Sequence, residues 1–146
     1  MRTSRRARQR SNWDRASRSS ARARRRCSRW TAQSLHALSG GRCLLGIGTS
    51  GPQVMEGWHG VAFDKPVRRT GEAIEIIRAI TSGERLDYRG EIYALPLAGS
   101  EGRAIRSLTP PTHLPIYVAS LGPANLRLTG ELADGWIARG VGDRDA

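Results

Sequence analysis

Residues 42–48 read Arg-Cys-Leu-Leu-Gly-Ile-Gly, and residues 115–120 read Pro-Ile-Tyr-Val-Ala-Ser. Each run is short and almost uninterrupted in its apolar character, a pattern typical of a parallel strand that is covered on both faces. Each run also leads into a turn that contains glycine. We therefore predict two buried strands that belong to one parallel sheet.

One helix is predicted between these strands, and another after the second strand. Pro66 suits the first turn of the first helix, Gly83 suits its end, and the inward positions recur every three or four residues, at Val67, Thr70, Ile74, Ile77 and Ile80. Gly122-Pro123 begins the second helix, Asp134-Gly135 ends it, and a third strand follows at Trp136–Ala138. Crossovers of this length indicate parallel βαβ units, whose helices lie on the outer side of the sheet.

The remaining segments are simpler. Thr31–Leu38 carries Ala32, Leu35 and Leu38 at helical spacing and is predicted to be a helix that ends before Gly40-Gly41. Thr49–Lys65 is a long glycine-rich stretch without periodicity, typical of a functional loop. Arg85–Leu95 predicts a β-hairpin around Gly90, and Leu97–Leu114 is irregular. A doubly wound sheet and a segment of a (β/α)₈ barrel both fit this order.

The positive charge is concentrated at one end of the chain. The formal net charge is +11, and residues 1–30 hold 12 of the 24 basic residues, all arginine, with one acidic residue. Residues 31–146 are formally neutral. The first 30 residues contain no Leu, Ile, Val or Phe, so we expect them to be disordered. No apolar run is long enough to span a membrane, and we expect a cytoplasmic location.

Specific sequence motifs decide between the two α/β architectures. Residues 38–60, Leu-Ser-Gly-Gly-Arg-Cys-Leu-Leu-Gly-Ile-Gly-Thr-Ser-Gly-Pro-Gln-Val-Met-Glu-Gly-Trp-His-Gly, resemble the segment around the fourth strand of luciferase-like monooxygenases, in the branch that uses the deazaflavin coenzyme F-420. Further motifs that resemble those of the family follow in the same order as in the family, at Phe63–Pro66, Gly83–Arg85, Gly90-Glu91, Pro115–Pro123 and Glu131–Trp136. The resemblance covers about residues 31–140.

The resemblance implies an α/β fold, a partial (β/α)₈ TIM barrel that carries about strands four to six. A complete barrel takes about 250 residues, so we expect a fragment of the fold, with open sheet edges. We expect such a fragment to be inactive, insoluble or molten when purified, and unable to retain a cofactor. The parent enzyme is expected to act on a small organic substrate, and a homo-oligomeric parent is compatible with the resemblance.

The resemblance also implies a cofactor site at the carboxyl ends of the strands. Gly48, Thr49 and Gly51 would line the pocket, and the backbone of Ser120, Leu121 and Gly122 would contact the cofactor phosphate at the start of a helix, where N–H groups are free. The structural alternatives are a tight strand-to-loop turn and a plain Ser120 helix cap. The cofactor is expected to be coenzyme F-420, with flavin mononucleotide (FMN) as the alternative.

Other polar residues carry weaker predictions. Trp58 and His59, in the long loop with Glu56, are the candidates for shaping a substrate pocket and transferring a proton. Asp134 is interpreted as a structural residue at a strand start, and His36 and His113 as solvated. Cys43 is interpreted as a small buried side chain. No spacing suggests a metal site, which suits an enzyme whose cofactor carries the chemistry.

The arginine-rich segment has a second interpretation. In the place of residues 22–30, Arg-Ala-Arg-Arg-Arg-Cys-Ser-Arg-Trp, the resembling family has a segment similar to Ala-Arg-Thr-Pro-Ala-Met-Leu-Ala-Met. Degenerate codons for residues 22–30, read one base earlier, permit that segment at every position. We therefore expect residues 1–30 to come from a shifted reading frame, which the DNA sequence would test.

Two functions follow from these observations. The first is an oxidoreductase that transfers hydride between a deazaflavin or flavin and an organic substrate. The alternative is a nucleic-acid-binding protein with an arginine-rich arm, whose affinity would fall steeply with salt. The neutral residues 31–146 offer no matching basic surface, so no specific nucleic acid is expected as a partner.

Overall fold

The computed structural model describes residues 31–138. The expectations for residues 1–30, disorder and a shifted reading frame, lie outside the described residues. The described chain forms a three-stranded parallel sheet in the order β1 (Leu45–Gly48), β4 (Ile116–Ala119) and β5 (Gly135–Ile137). A separate antiparallel pair joins β2 (Tyr88–Arg89) to β3 (Ala94–Leu95). The helices are α1 (residues 31–38), α2 (Pro52–Gly57), α3 (Pro66–Thr81) and α4 (Pro123–Leu132).

The parallel sheet confirms the predicted βαβ order. Leu45 pairs with Ile116, and Gly48 pairs with Ala119, so the two strands that decide the fold are direct neighbours. The strands lie in chain order, and both crossover helices pack on one face of the sheet. This arrangement is consistent with a segment of a (β/α)₈ barrel, and three strands of the parallel sheet fall within residues 31–138.

The core lies between the sheet and the two crossover helices. Ile74 and Ile77 of α3 pack with Ile116 and Val118 of β4, and all four side chains are buried. Each such side chain contributes roughly 1.5–3 kcal/mol by leaving water. Partly buried side chains from α4 and β1 complete this layer, at Leu128, Leu132, Leu45 and Ile47. Of the predicted inward positions of α3, Thr70, Ile74, Ile77 and Ile80 are buried, and Val67 is half-buried.

The opposite face of the sheet carries no such layer in the described chain. Gly48 and Ala119 are exposed there, and Gly46 is exposed beside them. The prediction that residues 42–48 and 115–120 form strands covered on both faces is therefore wrong: each strand is shorter and packs against helices on one face only. Leu44, just before it, is 53% exposed.

Asp134 fixes the amino-terminal ends of β4 and β5. Its carboxylate accepts the backbone N–H of Ile116 at 2.6 Å and pairs with Arg78 and with His113, whose Nε2 lies 3.1 Å away. Burial alone would raise the pKa of Asp134, but the Ile116 N–H and the Arg78 guanidinium lower it below the ordinary 3.8. The predicted structural role of Asp134 is supported, and His113 is exposed as expected.

Glu72 anchors the predicted hairpin to α3. Its side chain is fully buried, and its carboxylate accepts the backbone N–H groups of Glu91, Ile92 and Tyr93 at 2.8 to 3.2 Å. Arg68, one turn earlier, donates to the same carboxylate at 2.9 Å. The β2–β3 turn is thereby attached to the helix.

Four local predictions are corrected. His36 is buried rather than solvated, because its Nδ1 bonds the Cys43 carbonyl oxygen at 2.5 Å and holds the turn after α1. Leu35 and Leu38 are 51% and 85% exposed, so the buried face of α1 is instead Ala32, Gln33 and His36. Cys43 is half-buried rather than enclosed. The long loop also contains α2, which begins at Pro52 behind an extended Gly51.

Candidate functional site

Two strands end side by side at the carboxyl edge of the sheet. Gly48 and Ala119 are paired, so Thr49 and Ser120 leave the sheet next to each other. A Cβ atom built on Gly48 would contact the Ala119 Cβ at 3.4 Å. Few side-chain atoms therefore cover the backbone here, because both strands end in residues with little or no side chain. A flat group could approach the backbone closely at this point.

The start of α4 supplies backbone donors at the same edge. Gly122 is the extended N-cap residue, no side chain caps it, and Pro123 occupies the first turn. Within the described chain, no acceptor is assigned to the N–H of Leu121 or Gly122. N–H groups at a helix start, together with the positive end of the helix dipole, favour an anion.

Ser120 contributes through its backbone only. Its side chain is 1% exposed, and its Oγ lies 3.0 Å from Thr129 Oγ1. Its carbonyl oxygen accepts the Trp136 indole N–H at 3.0 Å. The hydroxyl is thus not a helix cap, contrary to the structural alternative considered for it. It instead connects the end of β4 to the second turn of α4.

A cavity of about 440 Å³ opens on the other side of β1. It is lined by Gly48 and Thr49, by loop side chains that include Met55 and His59, and by one face of α3. Polar groups gather at its rim, where Arg69 Nε donates to the Asp64 carbonyl oxygen at 2.9 Å. The hydrogen bond from Arg69 lowers the pKa of Asp64 below its ordinary value.

The candidate residues therefore fall into separate groups. Gly48, Thr49 and His59 share the cavity wall. Ser120, Leu121 and Gly122 lie beside Thr49 along the sheet edge but outside that wall. Gly51 is the N-cap residue of α2, and Trp58 is 84% exposed and does not line the cavity. The structure thus brings the two glycine-bearing turns together and leaves Trp58 on the surface.

Glu56 has a structural place in the same loop. Its Oε1 accepts the backbone N–H of Phe63 at 2.9 Å and so closes the loop between α2 and α3. The Arg69–Asp64 pair and the buried Glu72 were missed in the sequence. Glu72 had a detectable signal, because it lies four residues before Ile76 and so falls on a helix face that contains an apolar residue.

Residues 31–138 contain no group of three or more metal-ligating side chains. They also contain no helix of the length and hydropathy that a membrane span requires. The expectation of a cytoplasmic location stays a prediction.

Comparison with known proteins identifies the family. A family model described as luciferase-like monooxygenase matches residues 30–146. The chain belongs to the luciferase-like monooxygenase family. The family resemblance found in the sequence is confirmed, and with it the assignment of the chain to an enzyme family.

Relatives of this luciferase-like chain include several named oxidoreductases. It is 43% identical over 113 residues to a predicted coenzyme F-420-dependent oxidoreductase of Mycobacterium tuberculosis, a match that covers 73% of this chain and 33% of the relative. It is 36% identical over 111 residues to a 5,10-methylenetetrahydromethanopterin reductase of Archaeoglobus fulgidus, covering 76% of this chain and 31% of the relative. A Mycobacterium bovis phthiodiolone/phenolphthiodiolone dimycocerosates ketoreductase is 38% identical over 108 residues, which cover 73% of this chain and 27% of the relative.

The chain spans about a third of the length of these relatives. These named relatives are oxidoreductases, and they give no support to the nucleic-acid-binding alternative. The activity, substrate and partners of the whole enzyme are therefore a matter of proposal.

Proposed function

We propose that this chain carries the phosphate-binding edge of an oxidoreductase that transfers hydride between coenzyme F-420 and a small organic substrate. The observation that supports this most is the placement of two glycine-bearing strand ends side by side, with the start of α4 next to them. The names of the relatives support the choice of cofactor. When bound, the deazaflavin supplies the hydride chemistry.

The residues present fit such a cofactor. The Leu121 and Gly122 N–H groups would hold the phosphate, and Gly48 leaves room for a planar group against the strand ends.

The charge of the strand ends favours F-420 over FMN. Thr49, Ser120, Leu121 and Gly122 include no cation, so the anion would be held by N–H groups and the helix dipole alone. Coenzyme F-420 presents a phosphodiester with one negative charge, whereas FMN presents a phosphate monoester that carries nearly two. A site without a cation suits the smaller charge better.

His59 is the proposed proton-transferring residue, and it lies on the cavity wall with Thr49. Trp58 would act only at the outer surface, where it is exposed. The buried core between the sheet and its helices supports a folded chain that binds the cofactor weakly, in place of the molten fragment expected from the sequence. The open inner face of the sheet leaves the cofactor unenclosed on that side, so we propose that residues 1–146 alone do not turn over substrate. A homo-oligomeric, cytoplasmic parent enzyme completes the proposal.

A charge placed at the start of α4 tests the phosphate site. Gly122 is the N-cap residue of α4, and Gly130 lies within the helix. A Cβ atom added at either position would meet no other atom within 4 Å. We expect Gly122→Asp to weaken F-420 binding at least about tenfold, because a carboxylate beside the phosphate repels it. Gly130→Asp adds the same charge near the other end of the helix and is the matched control.

Equilibrium fluorescence titration of the chain with F-420, and separately with FMN, provides the measurement. Equal weakening by the two variants would contradict the phosphate site. Tighter binding of FMN than of F-420 would contradict the choice of cofactor while leaving the site in place.

A further inference from the structure

Two hydrogen bonds hold Ser120, the first residue of the turn before α4. Its carbonyl oxygen accepts the Trp136 indole N–H from β5 at 3.0 Å, and its Oγ lies 3.0 Å from Thr129 Oγ1 of α4. Ser120 and Thr129 are 1% and 5% exposed, so little water can compete for the contact between their hydroxyl groups. The turn is therefore held from a strand on one side and from a helix on the other.

The direction of the hydroxyl contact is determined by a third group. Thr129 Oγ1 donates to the Asn125 carbonyl oxygen at 2.7 Å, and a hydroxyl has only one proton to give. The Ser120 hydroxyl must therefore be the donor, and Thr129 Oγ1 its acceptor. The result is a series of hydrogen bonds from Ser120 through Thr129 to the backbone of α4. Hydrogen bonds in such a series polarise and strengthen one another.

The two residues after Ser120 have no comparable support. Leu121 and Gly122 are exposed, no side chain caps Gly122, and its backbone is extended, with φ −96° and ψ 156°. Pro123 limits the turn from the other end, because its ring fixes φ at about −65°. The direction of the Leu121 and Gly122 N–H groups therefore depends on how firmly Ser120 is held. Groups that bind a ligand must stay within about 0.5 Å of the productive geometry.

We propose that Thr129 is a positioning residue for the turn formed by Ser120, Leu121 and Gly122. Its Oγ1 accepts the Ser120 hydroxyl proton and thereby keeps the Leu121 and Gly122 N–H groups directed at the anion, while Trp136 holds the same turn from β5. Thr129 itself does not touch the ligand, because it is buried in the second turn of α4. The effect on ligand binding rests on the proposed function, whereas the effect on the rigidity of the turn does not.

Thr129→Val tests the proposal, because valine has nearly the same shape and leaves the buried Ser120 hydroxyl without an acceptor. Thr81→Val is the matched control. Thr81 is 4% exposed, and its Oγ1 donates to the Arg78 carbonyl oxygen at 3.1 Å in α3. Both variants lose a buried hydroxyl that bonds a helix carbonyl, so both should lower the melting temperature. Thr129→Ser keeps the hydroxyl group and is the conservative variant.

Fluorescence titration of the full chain with F-420 measures the effect on binding. We expect Thr129→Val to raise the Kd for F-420 at least about fivefold, because the contribution of roughly one hydrogen bond to the phosphate is lost. Thr81→Val and Thr129→Ser should change the Kd by less than about twofold. Equal weakening by Thr129→Val and Thr81→Val would overturn the proposal, because it would report lower stability alone.

Nuclear magnetic resonance relaxation of the full chain, recorded without cofactor, measures the turn itself. The backbone order parameters at Leu121 and Gly122 should fall from about 0.85 towards about 0.6 in Thr129→Val and stay unchanged in Thr81→Val and Thr129→Ser. Unchanged order parameters in Thr129→Val would overturn the proposal. If the order parameters fall as expected but the unaltered chain does not bind F-420, the result supports the role of Thr129 in the turn and contradicts the proposed function instead.

Discussion

At the scale of single residues, Glu72 has the most consequence for the described fold. Its buried carboxylate accepts three backbone N–H groups of the hairpin turn and the Arg68 guanidinium. A carboxylate is a pure acceptor and can receive all four donors at once, whereas an amide cannot. The sequence marks Glu72 as a charge on a helix face that contains an apolar residue, but it does not reveal the hairpin partners, which lie 19 to 21 residues further along the chain.

We expect Glu72→Gln to lower the free energy of unfolding by about 2–3 kcal/mol, because the new NH₂ group would face N–H donors. Glu84→Gln is the control, since Glu84 is exposed, and should change stability by less than about 0.5 kcal/mol. Urea unfolding followed by circular dichroism provides the measurement. A loss of the same size in both variants would show that Glu72 does not anchor the hairpin.

The same residue gives the fold a dependence on pH. Burial would raise the pKa of Glu72, but the N–H groups of Tyr93, Ile92 and Glu91, with Arg68, lower it below the ordinary 4.5. A lowered folded-state pKa means that this stabilisation is present above about pH 4.5 and is lost as the pH falls through the folded-state value. The free energy of unfolding, measured between pH 6 and pH 3, should therefore decrease less steeply with falling pH in Glu72→Gln than in the unaltered chain.

At the scale of elements, the helices were largely predictable and the exposure of the strands was not. Pro66, Gly83 and Pro123 mark helix ends through local backbone preferences, which a sequence shows directly. Burial of β1 depends on what covers its second face, and the residues near β1 in the sequence do not indicate whether that face is covered. His36 was missed for a similar reason, because its partner is a backbone carbonyl across a turn.

The packing of α3 against α4 depends on Gly71. A Cβ atom there would lie 3.0 Å from Leu128 Cδ1, so the small residue allows the two helices to approach. We expect Gly71→Leu to destabilise the chain by about 1–3 kcal/mol through overpacking. Gly130→Leu makes the same gain in helix propensity at an exposed position and should be neutral or slightly stabilising. Thermal melts of the two variants provide the measurement. Equal melting temperatures would contradict this close contact between the helices.

At the scale of the whole molecule, the chain presents a layer of helices on one side of its sheet and an open face on the other. The candidate cofactor-binding residues were predictable only as two separate short turns. Their proximity to each other follows from the parallel pairing of β1 with β4. That pairing was inferred from crossover length, whereas the choice of cofactor rests on family membership and on the chemistry of the strand ends.

Hydrogen exchange of the full chain, measured by mass spectrometry with and without coenzyme F-420, tests whether the two strand ends bind the cofactor. We expect slower exchange in peptides that contain Gly48–Gly51 and Ser120–Gly122, with the β2–β3 hairpin unchanged. Protection confined to the hairpin, or absent from both strand ends at saturating F-420, would contradict it.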